Sequence, residues 1–372
     1  MKKYIWESKN WHKFEYDHKI IMELLSKARL AQGNLLGKVS SLDIRLETEA
    51  QAEILVEEAV RTAEIEGMKL NREAVRSSVA VKLGLPHVVG MKTERNADGL
   101  IDVLLDAIRF HNKPLTLKRL NGWQAALFPT GYSGLHKIRA GELRGNAPMR
   151  VVSGPLGREK IHFEAPPQPQ MKNEVNLFLN WWNNSFRKTD GILRAAAAHL
   201  RFVTIHPYED GNGRLARALT DMALAQDEKS NIRFYSLSSQ IMKRRNDYYS
   251  ILEKIQNCRT DITNWFVWFL DTFTKAVEDS QNIVANVFRK AEFWKRHIRT
   301  ILNERQRKVI EKLFESYPEG FKYGLTTRKY VSIAKTSRAT AFREMDDLKE
   351  KGIIRYVGGK GRSVRYEINW KV

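Results

Sequence analysis

The sequence predicts a mainly α-helical protein in three successive parts, and three observations predict it. The chain is 372 residues long, more than the roughly 250–300 residues at which single cores stop growing. Residues 1 to about 110 read as helical, and the middle mixes helices with one short β element near 149–163. From Ile301 the composition changes, with 17 Lys and Arg against 9 Asp and Glu, and a second pair of β-prone runs closes the chain.

Composition narrows the class. Hydrophobic residues at 42% and charged residues at 28% exclude a disordered or fibrous chain. One cysteine, Cys258, excludes an intramolecular disulfide framework and a multi-cysteine zinc site. The apolar run Trp265–Leu270 is far short of the roughly 18 residues of a membrane span, and the N-terminus has a basic start but no apolar stretch of a signal peptide. A cytoplasmic protein with no membrane partner is expected. The net charge of +20 suits a phosphate-bearing ligand, nucleotide or nucleic acid, or simply solubility.

In the first part, SLDIRLETEAQAEILVEEAVRTAEIEG places Leu42, Leu46, Ile54, Leu55, Ala59 and Ala63 near helical spacing, and Gly67 is a stop. A second helix follows Asn71 from about Arg72 and ends at Gly84 and Pro86. In the second part, Met149–Ser153 and Lys160–Phe163 flank the turn-rich GPLGRE, which predicts a β-hairpin. EAPPQPQ should interrupt regular structure, a helix should begin near Met171, and the Ala-rich GILRAAAAHLRFVTI should form a strong helix after Gly191. The aromatic run Asn264–Phe273 reads as core helix rather than interface. The last part orders helix, helix, helix and two β-prone runs around Gly-Gly-Lys-Gly, with Ser337 as N-cap of the third helix. That order looks like a winged helix-turn-helix.

The chemistry concentrates in HPYEDGNGRLAR, His206 to Arg217. Pro207 should end the Ala-rich helix at about Ile205, and Asp210, Gly211, Asn212 and Gly213 are turn residues before a new helix. A tight loop feeding a helix N-terminus presents free N–H groups to an anion. Arg214 and Arg217, three apart, share the helix face behind it, making a polyphosphate cradle. Asp210 offers oxygen to magnesium, and His206 can accept a proton near neutral pH. These parts suit attack of a hydroxyl on a nucleotide phosphate.

The segment resembles the Fic signature, HPFx(D/E)GN(G/K)RxxR, with Tyr208 in place of Phe. The resemblance covers about 111–290, and it implies an all-helical core that transfers AMP from Mg-ATP to a Ser, Thr or Tyr hydroxyl of a target protein or of the chain itself. It implies His206 as general base, Asp210 as magnesium ligand, and Gly211, Asn212 and Gly213 as anion hole. Arg214 and Arg217 would hold the β- and γ-phosphates. The hairpin at about 149–163 falls where the family has a flap on which the target strand docks, the alternative being an ordinary surface hairpin. Tyr249 lies where family members place an aromatic beside adenine, but Tyr248, Ile251 and Leu252 form a helical stripe, so this pair also reads as core.

TAEIEG, Thr62 to Gly67, matches the family's inhibitory pattern (S/T)xxxE(G/N). The expectation is that Glu66 pairs bidentately with Arg217 and blocks productive ATP binding; some family members also use this glutamate to remove AMP. The expected domains are therefore a helical 1–110 with the inhibitory motif at 62–67, a catalytic 111–290 with the motif at 206–217, and a winged helix at 300–372. In the last, Arg338, Thr340 and Arg343 would face DNA and Lys360, Arg362 and Arg365 its phosphates, unless the module docks protein. Open alternatives are a DNA-binding regulator whose core senses nucleotide, an enzyme using UTP, GTP or a CDP-alcohol, and a homodimer.

Overall fold

The computed structural model describes residues 4–40, 42–85, 95–154, 158, 160–257, 260–315, 324–359 and 364–370. Cys258, Lys360 and Arg362 lie outside the described residues, as does most of the link between the two hairpin strands. The described chain is mainly helical, and it divides into two compact units, up to Gln281 and from Asn282.

The first unit opens with α1 (His18–Val39), α2 (Ile44–Ile65), α3 (Arg72–Leu83), α4 (Arg95–Arg109) and α5 (Leu117–Leu127). Side chains of Asp17, Asp43, Asn71 and Thr116 accept N–H groups at the starts of α1, α2, α3 and α5. Gly84 ends α3 in the left-handed conformation, as its sequence position predicts. Two short strands, β1 (Tyr132–Ser133) and β2 (His136–Lys137), pair next. The expected hairpin is present as β3 (Arg150–Ser153) and β4 (Lys160–Glu164), antiparallel. Its base is anchored where Phe163 packs edge-on against Tyr4 and the Trp6 indole N–H donates to Glu164 O at 2.7 Å.

The helix expected near Met171 starts earlier. α6 spans Gln168–Ser185 and carries Pro169 in its first turn, where a missing N–H costs nothing. Next come α7 (Gly191–Ile205) and α8 (Asn212–Glu228), both enclosed: every residue from Ile192 to Ile205, and from Arg214 to Ala225, is buried. A helix apolar on all sides belongs in a core. The small side chains of Ala195, Ala196, Ala198, Ala216 and Ala218 let the pair approach closely. Around them lie α9 (Leu237–Lys243), α10 (Arg245–Gln256) and the first half of α11 (Thr263–Arg296), whose Trp265, Phe266, Phe269 and Phe273 are buried. α2 packs on α3, α4, α8 and α9, so helices from both sides of residue 110 share one unit.

The second unit contains α12 (Glu304–Glu315), α13 (Thr327–Ala334), α14 (Arg338–Glu350) and the antiparallel strands β5 (Ile354–Gly358) and β6 (Arg365–Ile368), the order expected from sequence. Ser337 caps α14 through the N–H of Thr340. Its core joins Phe293, Val309, Ile310, Leu325, Leu348 and Ile368. Inside it the Glu344 carboxylate accepts from Arg305 at 2.9 Å, Asn303 at 3.0 Å and Tyr330 at 2.8 Å. Those donors hold its pKa down despite burial. Among the described residues no helix is long and apolar enough to cross a membrane.

Candidate active site

The loop between α7 and α8 is built by three backbone events. α7 stops at Ile205, and His206 takes the left-handed conformation at φ 51°, ψ 58°, its N–H donating to Phe202 O at 3.0 Å. Gly211 takes φ 89°, a value glycine adopts without a Cβ penalty. Between them, the Asn212 side chain closes a ring on Tyr208, accepting its N–H at 3.0 Å and donating to its O at 2.8 Å. Tyr208 is buried and donates its hydroxyl to Asn121 Oδ1 at 2.7 Å. The phenol replacing the signature's Phe thus has a partner that a phenyl ring would not use.

No side chain caps α8. The N–H groups of Asn212, Gly213 and Arg214 therefore point out of the helix start without intrahelical acceptors, which is how a helix terminus receives an anion. Because the Asn212 side chain is committed to Tyr208, its contribution to an anion is this backbone N–H.

His206 Nδ1 lies 3.2 Å from Val203 O; a carbonyl only accepts, so Nδ1 carries the proton and Nε2 is left as the base. Burial pulls the imidazole below its ordinary pKa, assisted by the Arg144 charge, against opposing contributions from Val203, Glu66 and Asp210. Arg144 is itself buried, its guanidinium donates to His206 O at 2.8 Å and to Pro166 O, and its backbone N–H donates to Pro207 O at 3.0 Å. One guanidinium thus ties the histidine backbone to the segment following β4.

Asp210 accepts from Ser133 Oγ at 2.5 Å and from the Gly211 N–H at 2.5 Å, and Arg214 Nη2 stands 3.8 Å away. Its side chain is 43% exposed, leaving carboxylate lone pairs open toward the loop. Arg214 is buried over the Phe128 ring with its Nε unpartnered, and burial lowers its pKa. Arg217 is buried too, with three hydrogen bonds to the end of α2: Nε to Thr62 Oγ1 at 2.5 Å, Nη2 to Thr62 O at 3.0 Å, and Nη2 to Glu66 Oε1 at 2.6 Å. Burial pulls its pKa down, but the Glu66 carboxylate outweighs that and holds it above the ordinary value.

The Glu66–Arg217 pair therefore forms, though through one nitrogen and not bidentately as expected. Thr62, one helical turn earlier on the same face of α2, takes Nε and shares Nη2, and Nη1 is left without a partner. Glu66 reaches the cradle because α2 ends there: Gly67 turns left-handed at φ 79° and Met68 N–H returns to Ala63 O at 3.0 Å. Glu58 staples α2 in place, accepting from Ser236 Oγ at 2.7 Å and Ser238 N at 3.1 Å. The Glu66 carboxylate lies directly over Gly213, where a Cβ would collide with its Oε1.

Tyr249 is 38% exposed and donates to Ile65 O at 3.1 Å, with Arg245 over its ring. Tyr248 is core, as its stripe suggested, bonded to His199 at 2.8 Å. The structure thus gathers His206, Asp210, Gly211, Asn212, Gly213, Arg214, Arg217 and Glu66 at one place, with Tyr249 at its edge. Ser133 and Arg144 were not singled out from sequence, whereas Thr62 was named as the first residue of the inhibitory pattern, four before Glu66.

Comparison with known proteins agrees with this geometry. Residues 114–224 match the Fic/DOC family, and residues 4–85 match a domain of unknown function, DUF4172. A probable protein adenylyltransferase of Aquifex aeolicus is 30% identical over 83 residues, 22% of this chain and 26% of that protein. A uridine 5'-monophosphate transferase of Xanthomonas campestris is 31% identical over 117 residues, 30% of this chain and 21% of its own. The protein adenylyltransferase fic-1 of Caenorhabditis elegans is 38% identical over 61 residues, 16% and 12% of the two chains. The chain thus spans about a quarter or less of the curated relatives it matches. In fold, it aligns over 94% of its length with 95% of a Fic family protein from Desulfovibrio desulfuricans, TM-score 0.50 at 17% identity. It also aligns over 73% of its length with 97% of a Fic domain protein from Bacteroides thetaiotaomicron, TM-score 0.51 at 17% identity. The signature on the loop between two buried helices lies inside the segment, residues 114–224, that matches the Fic/DOC family.

Proposed function

We propose that this protein transfers AMP from Mg-ATP to a hydroxyl of a target protein or of itself, and that Glu66 restrains it. One observation carries the reading: the bare Nε2 of His206, the uncapped N-terminus of α8 and the guanidinium of Arg217 meet at one loop, with the Glu66 carboxylate lying over that helix start.

In the proposed reaction His206 Nε2 takes the proton of the incoming hydroxyl, whose oxygen attacks the α-phosphorus while the bond to pyrophosphate breaks. The N–H groups of Asn212, Gly213 and Arg214 hold the charge that develops on the phosphate oxygens. Arg214 and Arg217 hold the outer phosphates, and Tyr249 borders the base. Magnesium takes few protein oxygens and keeps waters. The half-exposed Asp210 carboxylate, positioned by Ser133 and Gly211, fits that demand and would hold it; the ion supplies charge neutralisation on the phosphates. While Glu66 engages Arg217, the outer phosphates lose a partner. The two-stranded β3–β4 hairpin suits docking of the target by strand addition.

The test is transfer of label from ATP labelled in the α-phosphate. Glu66→Gly should label strongly and the untouched protein weakly, with label vanishing when His206→Ala is added. Silence of Glu66→Gly toward every nucleotide would overturn the reading. The relative named a uridine 5'-monophosphate transferase favours running UTP in parallel; transfer from UTP alone would keep the chemistry and change the donor.

A further inference from the structure

The β3–β4 hairpin carries a side-chain relay that the site above does not use. Ser153 Oγ lies 2.6 Å from His162 Nε2, and His162 Nδ1 lies 2.8 Å from Glu253 Oε2 on α10. The tautomer follows from the partners. A carboxylate only accepts, so Nδ1 carries the proton, and Nε2 of the neutral ring accepts the Ser153 O–H. Nucleophile, base and orienting carboxylate then stand in the order by which a serine hydroxyl is activated.

The hairpin is shaped to make this contact. Val151 pairs with Phe163 and Val152 with Ile161, so His162 is the extra residue of a bulge. Bulges re-aim a side chain, and this one turns His162 toward Ser153 and α10. Ser153 is exposed at the strand end, and Asn257 Nδ2 fixes the His162 backbone at 3.0 Å. Glu253 also sits one helical turn beyond Tyr249, the residue at the edge of the cradle. The relay thus shares α10 with the residue at the edge of the proposed site.

We propose that Ser153 is a self-modification site, a hydroxyl activated by His162 and Glu253 to accept the nucleotide; this rests on the function proposed above. In the step, the Ser153 oxygen bonds to the α-phosphorus and the bond to pyrophosphate breaks. The serine proton passes to His162 Nε2, the imidazolium is held by Glu253, and pyrophosphate leaves with the electron pair. Ser153 ends as a phosphodiester of AMP.

The experiment treats the full-length Glu66→Gly protein with Mg-ATP and locates adducts by peptide mass mapping. Ser153 should gain one AMP. Glu253→Gln keeps a hydrogen bond and the fold but removes the charge, and should slow Ser153 labelling on the order of a hundredfold, the usual worth of a positioned base, while leaving label elsewhere unchanged. Adducts elsewhere with Ser153 bare, or Ser153 labelling at full rate in Glu253→Gln, overturn the proposal and leave the transferase reading standing. If no residue takes AMP, the transferase reading fails instead, and a fluorophosphonate probe tests the relay alone. Labelling of Ser153 that falls in Glu253→Gln keeps the activated serine, and its absence overturns it.

Discussion

His206 shows how a single side chain is tuned by its neighbours. Burial and Arg144 favour the neutral ring, whereas Glu66 and Asp210 favour the cation. A general base works only above its own pKa. Label transfer by Glu66→Gly should therefore rise with pH through a midpoint below the ordinary histidine value of about 6.5 and then level off. Loss of the Glu66 charge lowers the midpoint further. A rate that still climbs between pH 7 and 8 would show that another group limits the step. The residues of this loop were legible in sequence because they are consecutive, so the spacing of His206, Asp210 and Arg217 is carried by the chain itself. Ser133 and Arg144 were not legible, because each reaches the loop only through folding and neither carries a local pattern. The one-nitrogen geometry of Glu66 was hidden for the same reason, since the pair spans 151 residues of chain and meets only through folding.

At the scale of elements, α2 is the part whose ending matters most. Its last turn places Glu66, and that turn closes only because Gly67 adopts φ 79°. A Cβ at Gly67 meets nothing within 4 Å, so Gly67→Ala costs only backbone strain, about 1 kcal/mol. The variant should unfold a few degrees earlier and label itself more than the untouched protein, though less than Glu66→Gly. Thermal unfolding beside label transfer checks both; unchanged labelling would show that Glu66 keeps its seat without the turn. This ending, like those of α3 and α7, was readable from a Gly, which takes the left-handed φ without a Cβ penalty, or a Pro, which lacks the N–H to continue a helix. The start of α6 was misread because proline breaks a helix interior but suits its first turn. The bulge at His162 left no mark, since one extra residue in a β-prone run changes no composition.

At the scale of the molecule, charge is the widest feature, and the second unit exposes Arg338 and Arg343 on α14. If that face meets DNA phosphates, Arg338→Ala with Arg343→Ala should weaken binding of the full chain to any duplex and lower the salt slope by roughly one unit per lost phosphate contact. A gel shift across a salt series reads this, and absence of binding at low salt would assign the unit to a protein partner. The first unit has its own consequence, lodged in the staples of α2. Glu58 and Thr62 hold that helix to α9 and α8, so Glu66 has a way off Gly213 that leaves the helix in place: rotation of its own side chain. On the proposed reading the brake is a torsion rather than a hinge, turning over in nanoseconds instead of milliseconds. A brake of that kind slips in proportion to how much nucleotide is waiting, so the resting protein would idle at a rate set by the ATP around it rather than stand fully off.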